Sequence, residues 1–412
     1  MATPATAPPD ATASTHPQRW AFALLLALLA LALGCSGLPS PLYPIYQQQW
    51  DMSPLTITVI FAVYAIGALG AALTVGPISD AVGRKPVLIT ALVSILLGLA
   101  LFLIANTAWV LMVARFLHGA AIGAITVTAG AALLDVRPLA GARNGVASGI
   151  ALNIGITITV LSAAAAAEWA TNPLRVPYAV VGVVVLAMLA AVIALAEPHV
   201  DRPGGRIRVQ RPSIPREIRS DFWFSGIGII TAWSVLGVFM SLYPSLTQQA
   251  TGHTSAMFVG VVIGIMAAAA ATAQWLGKGL DPRRAAIVGD LGMIAALLCA
   301  IWALRSGSTT FVVVDAIALG GTFGLAFGGS LQHLNNVAPP DARGRVMSAY
   351  YLLGYLAMGI PTVVAGALAS RYGTAAIFPW FAGTVAVACL GAAILGALGT
   401  RTAPPVESDV PL

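Results

Sequence analysis

Twelve apolar runs take up almost the whole chain, and each is long enough to cross a lipid bilayer. A transmembrane helix needs about 20 predominantly apolar residues. Only 9% of the residues are charged, against about 25% in soluble domains, and the mean hydropathy is +0.88. The sequence therefore predicts an all-α membrane protein with twelve transmembrane helices. We number them spans 1 to 12, near residues 20–46, 53–76, 86–106, 109–134, 144–167, 176–196, 222–248, 255–276, 284–304, 309–336, 346–369 and 373–398.

Lysine and arginine fall almost entirely on one side of these spans. If the amino terminus is cytoplasmic, seventeen of the 21 basic residues lie on the cytoplasmic side. The exceptions are Arg115 within span 4 and Arg175, Arg305 and Arg371 on the outer side. This is the positive-inside pattern, so both termini are expected in the cytoplasm. Topology and contact with anionic lipid account for the net charge of +6, and no nucleic-acid partner is expected.

The two halves of the chain repeat one another about 200 residues apart. The matching pairs are Leu42 and Leu242, Tyr43 and Tyr243, Pro44 and Pro244, Gly119 and Gly320, Gly123 and Gly324, and Arg143 and Arg343. Such a repeat predicts two six-helix bundles of like topology. We expect bundles at 19–196 and 221–398, a basic cytoplasmic linker at 197–220, a disordered tail at 1–18 and a cytoplasmic tail at 399–412.

Two short motifs carry a family resemblance. The segment GPISDAVGRKPVL at 76–88 resembles the signature between helices 2 and 3 of the major facilitator superfamily, and RFLHG at 115–119 resembles its helix 4 motif, with His118 in the glutamine position. The resemblance implies the major facilitator fold, in which two pseudo-symmetric six-helix bundles work as a secondary transporter by alternating access. It also implies a small-molecule substrate, no catalytic reaction and no cofactor. The chain is most similar to bacterial efflux-type members, which implies a monomer in the bacterial inner membrane.

The resemblance implies a cytoplasmic gate at the first motif. Asp80 and Arg84 are expected to form a latch between the bundles, with Asp135 at the end of span 4 as the partner of Arg84. The signature positions are Gly76, Asp80, Gly83, Arg84 and Lys85. A glycine at position 83 allows a tight turn. The alternative is that these charges only fix the topology. The second-half copy, Gly277 with Asp281, is degenerate and is expected to form a weaker latch.

Arg115 is the most costly residue in the apolar spans, because an arginine at a helix centre costs about 2.5 to 3.5 kcal/mol on insertion scales. Such a residue handles substrate or protons, or belongs to a structural hydrogen-bond network. His118 lies one helical turn later on the same face. Its imidazole either titrates near neutral pH or has only a structural role in the packing of the helices.

Two aspartates lie within the spans of the second half. Asp315 in span 10 is either a protonation site or a structural partner of Arg305. Asp290 lies in span 9, which the family architecture places at the periphery, and it is expected to pair with Arg283 or Arg284.

Polar and aromatic residues of the central helices are candidates to line a substrate cavity, and their mixture suggests an amphipathic solute. These residues are Asn153, Trp233, Gln274, Gln332, His333, Asn336, Tyr350, Tyr351 and Tyr355. Prolines break the outer ends of spans 1 and 7, where the ends either bend to form an outer gate or simply stop. The candidate outer-gate residues are Pro39, Pro41, Tyr43, Pro44, Tyr243 and Pro244.

We interpret the chain as a proton-coupled exporter of small amphipathic organic compounds. It contains no phosphate-binding G-x-x-x-x-G-K-[ST] loop, so a proton gradient is the expected energy source. The alternatives are proton-linked uptake of a metabolite and a non-transporting membrane receptor. An intramembrane enzyme is disfavoured because the H-E-x-x-H and G-x-S-x-G motifs are absent. The three cysteines have no pairable spacing, so neither a disulfide nor a metal site is expected.

The charge asymmetry makes a testable prediction about topology. An epitope tag at either terminus should be protected in intact cells, and a tag inserted near Thr251 should be accessible from outside. Labelling intact and permeabilised cells with an impermeant antibody measures both. A terminal tag that is accessible in intact cells would contradict the twelve-span arrangement.

Overall fold

The computed structural model describes residues 20–137, 141–199, 212–339 and 342–398, and these ranges contain twelve helices long and apolar enough to cross a membrane. The expected tails and residues 200–211 of the expected linker lie outside the described residues. The spans are Ala21–Trp50, Pro54–Val82, Arg84–Ile104, Ala108–Val136, Gly141–Trp169, Val176–Ala194, Arg216–Ser241, Ala256–Gly279, Pro282–Ser306, Thr309–Val337, Arg343–Tyr372 and Thr374–Leu398. The all-helical twelve-span prediction is confirmed.

Exposed tryptophans mark the two ends of the bundle. We call the end with the turn between spans 2 and 3 the basic face and the opposite end the distal face. Trp109, Trp169, Trp302 and Trp380 are exposed near the distal face, and Trp20, Trp223 and Trp275 near the basic face. Indole rings concentrate where hydrocarbon meets headgroups, so these two rings of tryptophan frame the apolar spans.

Local capping explains where several spans begin. The Ser53 and Ser255 hydroxyls accept from the backbone N–H groups of Thr56 and Phe258, three residues into spans 2 and 8. A capping side chain satisfies one of the donors that the first turn leaves open. At the basic face, spans 2 and 3 are separated by Gly83 alone, whose φ of 102° lies in the left-handed region. The expectation of a tight turn at Gly83 is confirmed.

Spans 1 and 7 are broken near the distal face and then continue. Span 1 is helical over Ala21–Gly37, passes through a 3-10 turn at Ser40–Leu42 and resumes as a short helix at Tyr43–Trp50. Span 7 is helical over Arg219–Ser241 and resumes at Tyr243–Thr251. Proline at the second position of each short helix suits a helix start, where the missing N–H is not needed. Both ends therefore bend rather than stop.

Glycines let the helices pack backbone against backbone in the same way in both halves. A side chain at Gly119 of span 4 would collide with the Tyr64 carbonyl of span 2, and one at Gly320 of span 10 would collide with the Met266 carbonyl of span 8. Gly123 and Gly324 meet Ala68 and Ala270 one turn further on. The predicted glycine repeat is confirmed as a repeated helix contact.

The register of the repeat changes along the chain. Gly34 in span 1 packs on the Thr159 hydroxyl and the Gly155 carbonyl of span 5, and Gly237 in span 7 packs in the same way on Thr362 and Met358 of span 11. All of these positions are 203 residues apart rather than 200. The predicted match of Arg143 with Arg343 is therefore not the register in which spans 5 and 11 pack.

The change of register has a simple origin in span 1. Tyr43 follows Gly34 by nine positions, whereas Tyr243 follows Gly237 by six. The three additional residues of span 1 are accommodated by the 3-10 turn at Ser40–Leu42. The exact offset of 200 in the sequence is therefore confined to the bent ends and does not extend through the helices.

Two helix pairs join the halves through small side chains. Span 5 packs on span 8 where Gly260 meets Ala164 and Gly264 meets Leu161. Span 2 packs on span 11, where a side chain at Gly366 would collide with Thr58. In a bilayer, helices associate through such close contacts rather than through the hydrophobic effect.

The glycine contact between spans 2 and 4 can be tested with a matched pair of substitutions. Gly119→Val should destabilise the protein, because overpacking costs about 1 to 3 kcal/mol and more where the neighbour is backbone. Gly130→Val lies in the same helix, at a position with no atom within 4 Å, and should have little effect. The measurement is thermal unfolding in detergent. Equal loss of stability in both variants would contradict the packing assigned to Gly119.

Candidate functional site

The signature loop at the basic face holds a buried arginine among polar side chains. Arg84 has 6% of its side chain exposed. Its Nε donates to Asp135 Oδ2 at 2.9 Å, and its Nη1 donates to Ser79 Oγ at 2.7 Å and to Asp80. Because a guanidinium presents several fixed donors, it can hold the ends of spans 2 and 4 together. Gly76 faces Val127 across the same two helices.

Asp80 is exposed in this conformation. Its side chain is 54% exposed, and it accepts from Arg84 four residues later on the chain. No hydrogen bond joins Asp80 to the start of span 11 among the described residues, although the latch hypothesis places it there. Asp281 in the second half does something different, since it caps its own helix by accepting from the Arg284 N–H at 2.9 Å. The two acidic positions are therefore not equivalent.

Two residues after span 6 dock on the signature loop, and the sequence analysis did not identify them. Glu197 Oε1 accepts from the Arg84 N–H at 2.7 Å and Oε2 accepts from the Lys85 N–H at 3.1 Å. His199 Nδ1 lies 3.4 Å from Asp135 Oδ2. A carboxylate at a helix N-terminus is favoured by the unsatisfied N–H groups and by the helix dipole. The first residues of the expected linker thus belong to the loop network.

Contacts between the two halves lie at the distal face. Ser40 Oγ donates to Met240 Sδ at 3.5 Å, and Ser245 Oγ bonds to Gln47. The broken ends of spans 1 and 7 therefore meet, and Tyr43 and Tyr243 are fully buried beneath them. Pro39, Pro41, Pro44 and Pro244 are buried as well.

Further distal contacts join the other inter-half helices. The Leu55 N–H donates to Ser370 Oγ at 2.9 Å between spans 2 and 11. Glu168 at the end of span 5 accepts from the Ser255 hydroxyl at 2.9 Å and from the Met257 N–H at 3.3 Å at the start of span 8. Both helix pairs are thus fastened at the distal face.

Arg115 is fully buried in the distal third of span 4. Its Nη1 donates to the Ser36 carbonyl at 2.9 Å, and its guanidinium lies over the rings of Phe61 and Tyr64 at 5.4 and 5.0 Å. The Nε and Nη2 atoms have no hydrogen-bond partner. No carboxylate neutralises this charge among the described residues, so cation–π contacts and one carbonyl hold it.

His118 lies deeper in the first half than Arg115. Its ring contacts Phe102, with the ring centroids 5.2 Å apart, and its Cδ2 atom packs against Gly98 of span 3. The side chain is fully buried. The structure therefore places His118 between spans 3 and 4.

Asp290 and Asp315 are buried and have no ion-pair partner in the part of the chain that the structure describes. Asp315 is 4% exposed, its two carboxylate oxygens have no hydrogen bond, and Arg305 is exposed. The alternative of a structural pair between Asp315 and Arg305 is thus excluded.

The expected pairing of Asp290 with Arg283 or Arg284 is wrong. Asp290 is fully buried without a hydrogen bond. Arg283 Nε donates to the Gly396 carbonyl at 2.8 Å, and Arg284 is exposed. Arg283 is thus bonded near the end of span 12, Arg284 is exposed at the start of span 9, and neither bonds to the carboxylate two turns inside the helix.

The central helices bring several cavity candidates together. The Trp233 ring lies edge-on to Tyr355 with a centroid separation of 4.8 Å, and Tyr351 and Phe327 lie at 6.3 and 6.0 Å. This aromatic group combines side chains from spans 7, 10 and 11. It offers flat apolar surfaces together with two phenol hydroxyl groups.

A pair of amides lies between spans 5 and 8. Asn153 Nδ2 donates to the Gly149 carbonyl at 2.9 Å. Gln274 of span 8 packs on the same Gly149 and on Gly328 of span 10. Amide groups both donate and accept hydrogen bonds, so the inter-half seam is polar here.

The remaining candidates lie elsewhere. His333 is bonded to Asp221 of span 7, with Nε2 and Oδ1 at 2.9 Å. Tyr350 is fully buried, and its hydroxyl lies 3.0 Å from Ser330 Oγ. Gln332 is partly buried, and Asn336 is exposed near the end of span 10. Asp221 was not predicted from the sequence as a site residue, because an acid in the first turn of a helix usually serves as a cap.

Comparison with known proteins agrees with this architecture. The family profile of the Major Facilitator Superfamily matches residues 21–362. The human organic anion transporter MFSD10 (TETRAN) is 17% identical, with a TM-score of 0.68 over 92% of this chain and 99% of that one. A point mutant of the nucleoside transporter NupG is 11% identical, with a TM-score of 0.70 over 91% of this chain and 99% of that one. No curated protein sequence matches the chain.

The docking of Glu197 makes a testable prediction. Glu197→Ala removes both acceptors from the first turn of span 3, and losing a capping side chain costs about 0.5 to 2 kcal/mol. Hydrogen exchange at the Arg84 and Lys85 amides should accelerate, as measured by mass spectrometry of the protein in detergent. Glu217→Ala, at an exposed position on the other side of residues 200–211, is the control. Unchanged exchange at both amides would show that Glu197 does not hold this turn.

Proposed function

The chain belongs to the Major Facilitator Superfamily, and from that premise we propose that it exports small amphipathic organic compounds in exchange for protons. Membership makes it a non-enzymatic membrane transporter with a small-molecule substrate. Direction, energy source and substrate class are our proposals. The observation that carries proton coupling is Asp315, a carboxyl group buried within a span with both oxygens unpartnered.

The arrangement of contacts supports alternating access with the basic face in the cytoplasm. The halves are fastened at the distal face, while Asp80 at the basic face is exposed and has no bond to span 11. This is the pattern of a state closed to the outside. We infer that Asp80 docks on span 11 when the basic face closes, while Arg84 keeps its hold on Asp135.

The distal closure is weak enough to be reversible. It consists largely of neutral hydrogen bonds, such as those of Ser40 and Leu55, and each such bond contributes about 0.5 to 1.5 kcal/mol net. A two-state protein works with a gap of a few kcal/mol between its conformations. Substrate and proton binding are therefore able to shift the balance.

The proton role of Asp315 follows from its surroundings. An unpaired carboxylate inside the membrane is costly, and a bound proton removes the charge. Asp315 lies six residues into span 10 from the distal face, close enough to Tyr243 for the two to interact electrostatically. Because Tyr243 belongs to the bent end of span 7, the protonation of Asp315 is placed to affect the distal gate. Arg115 lies at a similar depth in span 4, and His118 lies further in. We include both residues with Asp315 in the proposed group that handles protons or substrate.

The wall of the central region supports an amphipathic substrate. Trp233, Tyr351 and Tyr355 provide aromatic surface, and Asn153 and Gln274 provide hydrogen-bonding amides where spans 5 and 8 meet. Ligand sites in transporters lie near the bilayer midplane between the repeats. Proton-linked uptake of a metabolite is the second candidate, because the same unpartnered Asp315 serves either direction.

The proposal is tested in liposomes that contain a pH-sensitive dye. Purified protein is screened against drugs, sugars and organic acids for substrate-induced proton movement. With a compound that responds, Asp315→Asn should abolish accumulation driven by a proton gradient but keep substrate exchange across the membrane. Asp281→Asn, at an exposed helix cap, should leave both activities intact.

Each outcome decides one part of the proposal. Gradient-driven accumulation that survives in Asp315→Asn would remove this residue from the coupling mechanism. Transport without proton movement would exclude proton coupling itself. The direction is read in cells, where expression should lower the internal concentration of the compound; a raised concentration would favour uptake.

A further inference from the structure

The fully buried Asp290 lies in the second half at a distance from Asp315. It is on span 9, two helical turns from the start of that span at the basic face, whereas Asp315 is close to the distal face. Its oxygens have no hydrogen bond. A group of this kind is rare inside a membrane and marks a functional site.

The groups around Asp290 include no cation that neutralises it among the described residues. Tyr350 of span 11 and Cys389 of span 12 interact with it electrostatically. The two arginines at the start of its own helix are engaged or exposed at the basic face. Tyr350 and Cys389, the side chains that interact electrostatically with Asp290, each carry a group that can hold a proton.

A line of polar side chains leads from the basic face towards Asp290. At its outer end, His333 and Asp221 bond at 2.9 Å, with 12% and 21% of their side chains exposed, so this pair is in reach of solvent. Ser330 lies one turn further into span 10 and meets the Tyr350 hydroxyl at 3.0 Å. Tyr350 is close enough to Asp290 for the two groups to interact electrostatically, and no hydrogen bond joins them in this conformation.

We propose that Asp290 is a second proton-binding site, inside the second bundle, and that it exchanges its proton with the basic face through Tyr350, Ser330 and the pair of His333 and Asp221. Hydroxyl groups both donate and accept hydrogen bonds, and imidazole takes up and releases protons near neutral pH. A proton from solvent enters at the pair of His333 and Asp221, each hydroxyl of the pair Ser330 and Tyr350 gives up its own proton inward as it receives one from the outer side, and the last O–H bond forms on the Asp290 carboxylate. No electron transfer is involved.

The site has a position suited to coupling. Asp290 on span 9 interacts electrostatically with Tyr350 of span 11 and Cys389 of span 12, so a change in its charge acts within the second bundle rather than on the distal gate. The inference extends the proposed proton coupling. Its test measures the protonation of Asp290 directly and needs no substrate. The assignment of Asp290 can therefore be refuted while coupling through Asp315 holds, and coupling through Asp315 can be refuted while the assignment of Asp290 holds.

Carbodiimide labelling of the wild-type protein tests the site. Dicyclohexylcarbodiimide enters apolar regions and reacts with protonated carboxyl groups, and mass spectrometry of the peptides distinguishes Asp290 from Asp315. The purified protein in detergent is labelled over a series of pH values. We expect modification of Asp290 that decreases as the pH rises. Modification that is independent of pH would indicate a permanent structural proton, and absence of modification would indicate no exchangeable proton; either result overturns the proposal.

A pH jump followed by infrared spectroscopy tests the route. A protonated carboxyl group gives a carbonyl stretching band. The band that is present in the wild-type protein and absent from Asp290→Asn is assigned to Asp290, and its intensity is recorded over time after acidification. His333→Gln keeps a polar side chain but cannot titrate, and should slow the appearance of this band at least about tenfold without changing its final height, since a positioned acid or base contributes about 10²-fold or more. Asn335→Asp, on the same helix but off the line, is the control. An unchanged rate in His333→Gln would exclude this route.

Discussion

Close approach between helix backbones is the interaction on which the rest of this structure depends. Lipid is as apolar as the helix surfaces, so the hydrophobic effect does not press one span against another, and association relies on close contact. The protein meets this requirement with the same contact built twice, at Gly119 on Tyr64 and at Gly320 on Met266. Each contact sets the position of a central helix, and the helices that carry the polar groups follow from it.

The sequence predicted the fold because the relevant signals are local. Apolar runs predict the spans, the distribution of basic residues predicts which ends of the spans are cytoplasmic, and Gly83 and Arg84 predict the loop between spans 2 and 3. What it could not predict depends on contacts between distant residues. Glu197 looked like the first residue of a loop, yet it caps a helix that begins 113 positions earlier. Asp290 was expected to pair with the nearest arginines along the helix, but neither bonds to it.

The structure confirms that the two halves repeat one another, but the offset of 200 residues predicted from the sequence does not apply to the whole chain. Tyr43 and Tyr243 keep an offset of 200, while Gly34 and Gly237 are 203 apart. The halves have also diverged in charge. The first carries an unpaired cation, Arg115, where the second carries an unpaired carboxyl group, Asp315, at a similar depth. Two bundles of similar fold thus bury ionisable groups of opposite charge at a similar depth, a difference that an exactly repeated sequence would not contain.

The unequal lengths of the spans have a consequence for the surrounding lipid. Span 2 has 29 residues and span 6 has 19, which at about 1.5 Å per residue differ by about 15 Å in length. The hydrocarbon core is about 30 Å thick, so span 6 is about as long as the core and span 2 is longer; we expect Asp80, two residues from the basic-face end of span 2, to lie among the headgroups. Thickening the bilayer would draw that charge towards hydrocarbon at a cost for each ångström of mismatch. Membrane thickness therefore becomes a variable that acts on the conformational equilibrium of the protein.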